Sequence, residues 1–232
     1  DTEGKEEVQD ACNLSDAAMN FFEAWTVLKE NHIDKPGYKE AAIGICDFAV
    51  RHQLPDGRFG KSWANDGKTA DPNGTIGCCL VVPLIKAYEI TGEKKYLESA
   101  EKGYHFYMDC FRKDGYTSAA ALDTYCIDKE SAIPLLKSSI LLYEVEKDDR
   151  YLKYAEWISY YLSTWQWHYT GPFPMGTPLS EMHYDTFGGT SVSTQHHHMD
   201  PFALVFVEDW LKLADLTGKD VWRQRARAAW IN

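Results

Sequence analysis

Residues 165–200 concentrate side chains that can move protons and hold hydroxyl groups. Five of the eight histidines fall there: His168, His183, His196, His197 and His198. Six aromatics (Trp165, Trp167, Tyr169, Phe173, Tyr184, Phe187) and three acids (Glu181, Asp185, Asp200) accompany them. No Lys or Arg occurs from Tyr154 to Trp210. A connection this long, with neither helical nor strand periodicity, is a functional loop or a disordered one. Its aromatic content argues against disorder. Aromatic faces stack on CH groups, while histidines and acids bond hydroxyls, so the stretch suits a polyhydroxylated ligand.

Three adjacent histidines, with Asp200 four residues after His196, invite a metal reading. Neighbouring side chains point in different directions, and zinc sites want spaced ligands with an open position. No metal and no cofactor are expected. Histidine titrates near neutrality, which suits acid/base work or hydrogen bonding to a sugar. Asp128 and Asp200 each precede a predicted helix, where Asp also serves as an N-cap.

Internal repetition shows what carries these residues. The segment 87–101 (AYEITGEKKYLESAE) returns as 142–156 (LYEVEKDDRYLKYAE). A weaker copy runs over 211–226, and a fourth has Tyr38 and Ala42 in the places of Tyr96 and Ala100. Each copy is a helix end, a tight turn and a new helix, with Gly92 and Gly218 as left-handed caps. The second helices carry apolar stripes at 38/42/45/49, 96/100/104/107, 151/155/158/162 and 222/226/229. The first helices, at 76–90 and 132–143, are apolar nearly all round and so predicted to be buried.

The fold class this predicts is all-α: an (α/α) toroid of helical hairpins, inner helices wrapped by outer ones. Four hairpins are present, part of a six-hairpin barrel, so residues 1–232 read as a single toroid domain that is a fragment of a longer chain. Turns from inner to outer helix are short, about three to six residues by pattern. Connections back to the inner layer are long, at 54–74, 113–128 and 165–198. All of these emerge on one rim, which is where binding residues belong. The Asp56-Gly57 pair predicts a short hairpin, and the run from Gln53 to Phe59 reads as a turn stabiliser.

Composition narrows the partners. A net charge of −11 argues against nucleic acid, whose phosphates need clustered Lys and Arg. No apolar run reaches the roughly 20 residues of a membrane span.

The run from Ile127 to Leu136, Ile-Asp-Lys-Glu-Ser-Ala-Ile-Pro-Leu-Leu, resembles the Ile-Asp…Leu-Pro-Leu-Leu segment of the unsaturated glucuronyl hydrolases. These belong to the six-hairpin glycosidase superfamily. Tyr184-Asp-Thr-Phe-Gly-Gly, Thr194-Gln195 and Asp200 are similar to that family's rim segment. Pro201-Phe-Ala-Leu-Val-Phe-Val replaces its Trp-Ala-Arg-Gly-Gln-Ala-Trp run, and Asp71-Pro-Asn-Gly74 is only an echo of its His-Asp-Gly-Phe. The resemblance implies a toroid glycosidase with Asp128 as general acid/base.

The expectation is a carbohydrate-active enzyme, foremost a glycoside hydrolase acting on oligosaccharide or polysaccharide-derived substrates through paired rim carboxylates. Such pairs stand about 5–5.5 Å apart for retention and about 6.5–9.5 Å for inversion. A sugar epimerase using rim histidines and a non-catalytic glycan-binding toroid are the alternatives. A polysaccharide lyase is disfavoured, since the longest loop offers no cation. Rim carboxylates are Asp71, Asp123, Asp128, Glu130, Glu181, Asp185 and Asp200. Asp128, Asp185 and Asp200 are the candidate catalytic residues. Trp63, Trp167, Tyr169, Glu181, His183, Gln195, His196 and His198 are the candidate substrate-binding residues.

Overall fold

The computed structural model describes residues 8–118, 125–195 and 198–231. Helices α1 (Ala11–Glu30), α2 (Pro36–His52), α3 (Val81–Thr91), α4 (Lys94–Asp114), α5 (Ala132–Glu146) and α6 (Asp149–Thr164) come first. A single turn α7 (Pro178–Glu181) precedes α8 (Val207–Thr217) and α9 (Asp220–Ile231). The longer helices pack as antiparallel pairs α1–α2, α3–α4, α5–α6 and α8–α9.

The two layers follow from the pattern of apolar residues. Helices α1, α3, α5 and α8 pack in succession as an inner row. Each outer helix also leans on the next inner one: α2 on α3, α4 on α5, α6 on α8. In the outer helices the repeated aromatic and alanine turn inward. Tyr96, Tyr151 and Trp222 are buried, as are Ala100, Ala155 and Ala226, whose small side chains let helices approach closely. Tyr38, the equivalent in the first pair, is 39% exposed. In the inner row, Val81 to Ile85 of α3 and Leu135, Leu136, Ile140 and Leu142 of α5 are buried, as expected for helices apolar on every side.

Two inner helices begin with 3-10 turns, Ile76–Leu80 before α3 and Pro201–Phe206 before α8. Pro83 sits in the first turn of α3, where proline is tolerated. Inner-to-outer turns span two to five residues between the helix ends, tighter than the sequence pattern suggests. Gly92 (φ 73°) and Gly218 (φ 69°) supply the left-handed cap, and Lys147 takes the same conformation (φ 60°) at the matching position.

Strands are short and confined to the long connections. β1 (Val8–Asp10), β2 (Ser62–Ala64) and β3 (Thr69–Asp71) form an antiparallel sheet in the order β1-β2-β3. The hairpin therefore turns at Asp66-Gly67 and not at Asp56-Gly57, a correction to the sequence reading. Residues 54–58 close a hydrogen-bonded turn instead, Leu54 N–H donating to Arg58 O at 2.9 Å. Gln53 stabilises it: its amide donates to Gly57 O (2.7 Å) and Ser99 O (2.9 Å) and accepts from the Ser99 hydroxyl (2.9 Å). No helix among the described residues is long and apolar enough to cross a membrane.

Candidate functional site

The three long connections are stitched together on one rim. Thr75 exchanges hydrogen bonds with Ser118, its N–H to the carbonyl (3.0 Å) and its hydroxyl from the amide (3.0 Å). The Tyr125 hydroxyl donates to the Asp71 carboxylate. β4 (Thr117–Ser118) pairs with β5 (Ile127–Asp128), and Asp128 bridges in turn to Ser193 of the longest connection. Thr194 N–H donates to Ile127 O at 2.9 Å.

That longest connection is ordered by backbone pairing which its sequence does not announce. β6 (Thr190–Ser191) pairs with β7 (Met199–Asp200), and Gln166 bridges to Thr190. Trp167 and Gly188–Gly189 exchange backbone bonds of 2.8 Å. Buried Gln166 ties the loop to α9 through Arg225 O (3.1 Å). Gly188 (φ 99°) lies where an added Cβ would strike Ala228 O, so α9 packs directly on the loop backbone.

Between the two ends of this connection lies a hollow of about 280 Å³, lined by Trp165, Trp167, His168, Tyr169, Ser193 and Thr194 among others. Trp167 and Tyr169 stand with ring centroids 5.2 Å apart, tilted by 57°. The Trp167 indole N–H donates to the Ser191 hydroxyl at 2.9 Å, which fixes the ring. Thr186 holds the Tyr169 carbonyl through its hydroxyl at 2.7 Å. His168 Nδ1 lies 3.3 Å from Gln166 O, leaving Nε2 as the nitrogen free of that contact. Aromatic faces beside hydroxyls and an imidazole suit the CH and OH groups of a sugar.

The candidate residues fall in different places. Asp128 has no exposed surface; the Thr117 hydroxyl lies 2.6 Å from its carbonyl and 3.2 Å from its Oδ1, and Tyr161 donates to the same carbonyl. It does not cap α5, whose N-cap is Ser131. Asp200 does cap, its Oδ1 accepting from Phe202 N–H (2.9 Å) and the Thr190 hydroxyl (3.0 Å). Its other oxygen pairs with the Lys129 ammonium. Both Asp200 oxygens are thus engaged within the protein.

Asp185 accepts from the Thr170 hydroxyl and the Phe187 amide, which hold its carboxyl below the ordinary range. A lowered pKa suits an ionised carboxylate better than a general acid, and the two contacts tie Asp185 into the turn at 185–187. Trp63 is fully buried, its ring edge-on to Phe48 at 5.4 Å; with no open face it is corrected from stacking platform to core.

Trp167 and Tyr169 line the hollow. Glu181, His183, Gln195 and His198 are exposed on the same connection but do not line it, and His196 lies outside the described residues, as does Asp123. No cluster able to hold a metal occurs among the described residues.

Lys129 was not anticipated. It is fully buried, donates to Ser191 O at 2.8 Å and pairs with Asp200. Burial lowers its pKa, and Asp200 opposes that shift. The longest loop itself carries no Lys or Arg, but Lys129, just after β5, packs against it from another connection. Its only sequence signal is a lone Lys amid the acids 128 and 130 at the start of an apolar helix.

No protein-family model matches the chain, and no curated protein matches it in sequence. Solved structures do match in shape. An α-mannanase of glycoside hydrolase family 76 from Bacteroides thetaiotaomicron superposes with a TM-score of 0.68 at 16% identity, over 97% of this chain and 58% of that one. A D-mannose isomerase matches with TM-score 0.66 at 13% identity, over 97% and 59%. An unsaturated glucuronyl hydrolase specific for heparin matches with TM-score 0.64 at 12% identity, over 95% and 60%. The chain spans less than two thirds of each of these structures.

Proposed function

We propose that the chain, folded as an (α/α) toroid like the mannanase and the glucuronyl hydrolase, belongs with the six-hairpin glycosidases. We propose that it belongs to a carbohydrate-active enzyme, with a sugar unit held in the hollow on the Trp167–Tyr169 wall. The observation that carries this is the hollow itself: the adjacent rings of Trp167 and Tyr169, with His168 and the exposed Thr194 on the same lining. Aromatic faces take the apolar side of a pyranose and the hydroxyls its edges. The solved structures with this fold support the reading, since they include glycoside hydrolases and a sugar isomerase.

The reaction proposed first is glycoside hydrolysis with Asp128 as the acid/base. Asp128 is joined to the hollow through its bridge to Ser193, and the segment it shares with Glu130 supplies two carboxyl groups. Asp128 is fully buried in this structure, so its acting on a substrate requires that it become accessible. A second reading, sugar epimerisation or isomerisation, is favoured by one observation. His168 lines the hollow directly, whereas none of the described residues lining it carries a carboxylate. There an imidazole would move a proton at carbon.

Turnover of mannobiose, cellobiose and an unsaturated glucuronyl disaccharide, with product analysis, tests both. Hydrolysis predicts monosaccharide release lost by about 10²-fold or more in Asp128→Asn and largely kept in His168→Gln. Epimerisation predicts an intact disaccharide of changed configuration and the reverse sensitivity. Full activity in both variants refutes both assignments.

A further inference from the structure

Lys129 spends a buried charge on a place where stability alone does not ask for one. Removing an ammonium and a carboxylate from water costs several kcal/mol each, and apolar residues of similar volume often serve the fold as well or better. What the pair holds is therefore informative. The Lys129 ammonium donates to the Ser191 carbonyl at 2.8 Å and is anchored by Asp200, itself fixed by Thr190 and the Phe202 amide. Ser191 is also the residue whose hydroxyl accepts the Trp167 indole N–H at 2.9 Å, and whose amide donates to Trp165 O at 3.1 Å. One serine is thus gripped from behind by the buried cation and grips, in front, two aromatic residues of the hollow.

We propose that Lys129 is a positioning residue for the sugar-stacking wall, holding Ser191 and through it the orientation of Trp167. The relay runs Asp200, Lys129, Ser191, Trp167, and it couples the segment bearing Asp128 to the loop bearing the aromatics. Lys129 touches no substrate; it sets the register in which Trp167 meets one. The role rests on the reading of the hollow as a sugar site, but the geometry it asserts can be measured without any sugar.

The test follows indole N–H signals by NMR in ¹⁵N-labelled protein, the Trp167 signal being assigned by its loss in Trp167→Phe. In the unaltered protein the Trp167 indole proton should exchange with solvent at least about 10-fold more slowly than those of the exposed Trp157 and Trp230. In Lys129→Met, or in the paired Lys129→Met/Asp200→Leu variant where the single one does not fold, that signal should shift and its protection should fall. The signals of buried Trp210 and Trp222 should stay in place. Ser191→Ala should reproduce the effect with the ion pair intact. Mannobiose affinity should drop by about 10-fold in the same variants, the scale of one lost stacking contact.

An unmoved Trp167 signal in the lysine variants, or exchange in the unaltered protein as fast as Trp157, overturns the proposal. A Trp167 signal that moves as stated while mannobiose, cellobiose and the glucuronyl disaccharide all fail to bind upholds the positioning and refutes the sugar reading alone.

Discussion

Asp209 gives a stability prediction whose size follows from its surroundings. It lies in the first turn of α8 with 8% of its surface exposed, facing Lys137 of α5 and Lys212. Burial lifts its carboxyl from 3.8 to about 6, Glu208 adding to the rise and the two lysines opposing it. Between those values the unfolded chain has released the proton and the folded chain still holds it. Folded protein binds more protons there, so stability falls as pH rises through that window. Roughly 2 pH units at 1.36 kcal/mol each give a cost on the order of 3 kcal/mol above pH 7. Asp209→Asn removes the ionisation and keeps the shape. Urea unfolding should therefore show the variant more stable by up to about 3 kcal/mol at pH 7.5, and by under about 1 kcal/mol at pH 4. A difference that is absent at pH 7.5, or equal at both pH values, refutes the burial argument.

Other consequences can be checked on the same protein. Lys147 holds a left-handed conformation that costs a non-glycine residue about 1–2 kcal/mol; Lys147→Gly should recover roughly 0.5–1 kcal/mol net of glycine's greater chain entropy, read as a raised Tm. Gly188→Ala should loosen the loop from α9 and lower Tm by several degrees, whereas Gly171→Ala, with contacts no closer than 3.8 Å, should not. Glu101, on the outer helix α4, is pushed up to about 7 by burial and by the neighbouring Glu146; its contribution is lost as pH rises from about 4.5 through 7, so Glu101→Gln should flatten that part of the stability profile.

The hairpins were legible in the sequence because a helix pair leaves a period that repeats: Tyr96 and Ala100 recur as Tyr151 and Ala155 and as Trp222 and Ala226, and all six are buried. Lengths of connections then located the rim. Within the rim, spacing along the chain lost its authority, because contacts there are made between loops. Two Asp-Gly pairs lie ten residues apart at 56–57 and 66–67, and tertiary pairing with β1 selects the second as the hairpin. Trp63 and Trp167 look alike as loop tryptophans, yet one is packed under Phe48 and the other stands at the hollow. Asp200 and Asp185 were recognisable as acids, but whether their oxygens are already engaged depends on Lys129, Thr190 and Thr170, which sequence does not place beside them.

The occupancy of the hollow is the most direct measurement: a crystal structure of the protein soaked with mannobiose, cellobiose or the glucuronyl disaccharide. Expected is a sugar ring within about 4 Å of Trp167 or Tyr169, the contact distance of stacked apolar atoms, with hydroxyls bonded to Thr194 or His168. A sugar bound on the outer surface instead, for example in the groove of α4 between His105 and Phe106, or no sugar bound from the whole set, contradicts the assignment of this hollow as the functional site.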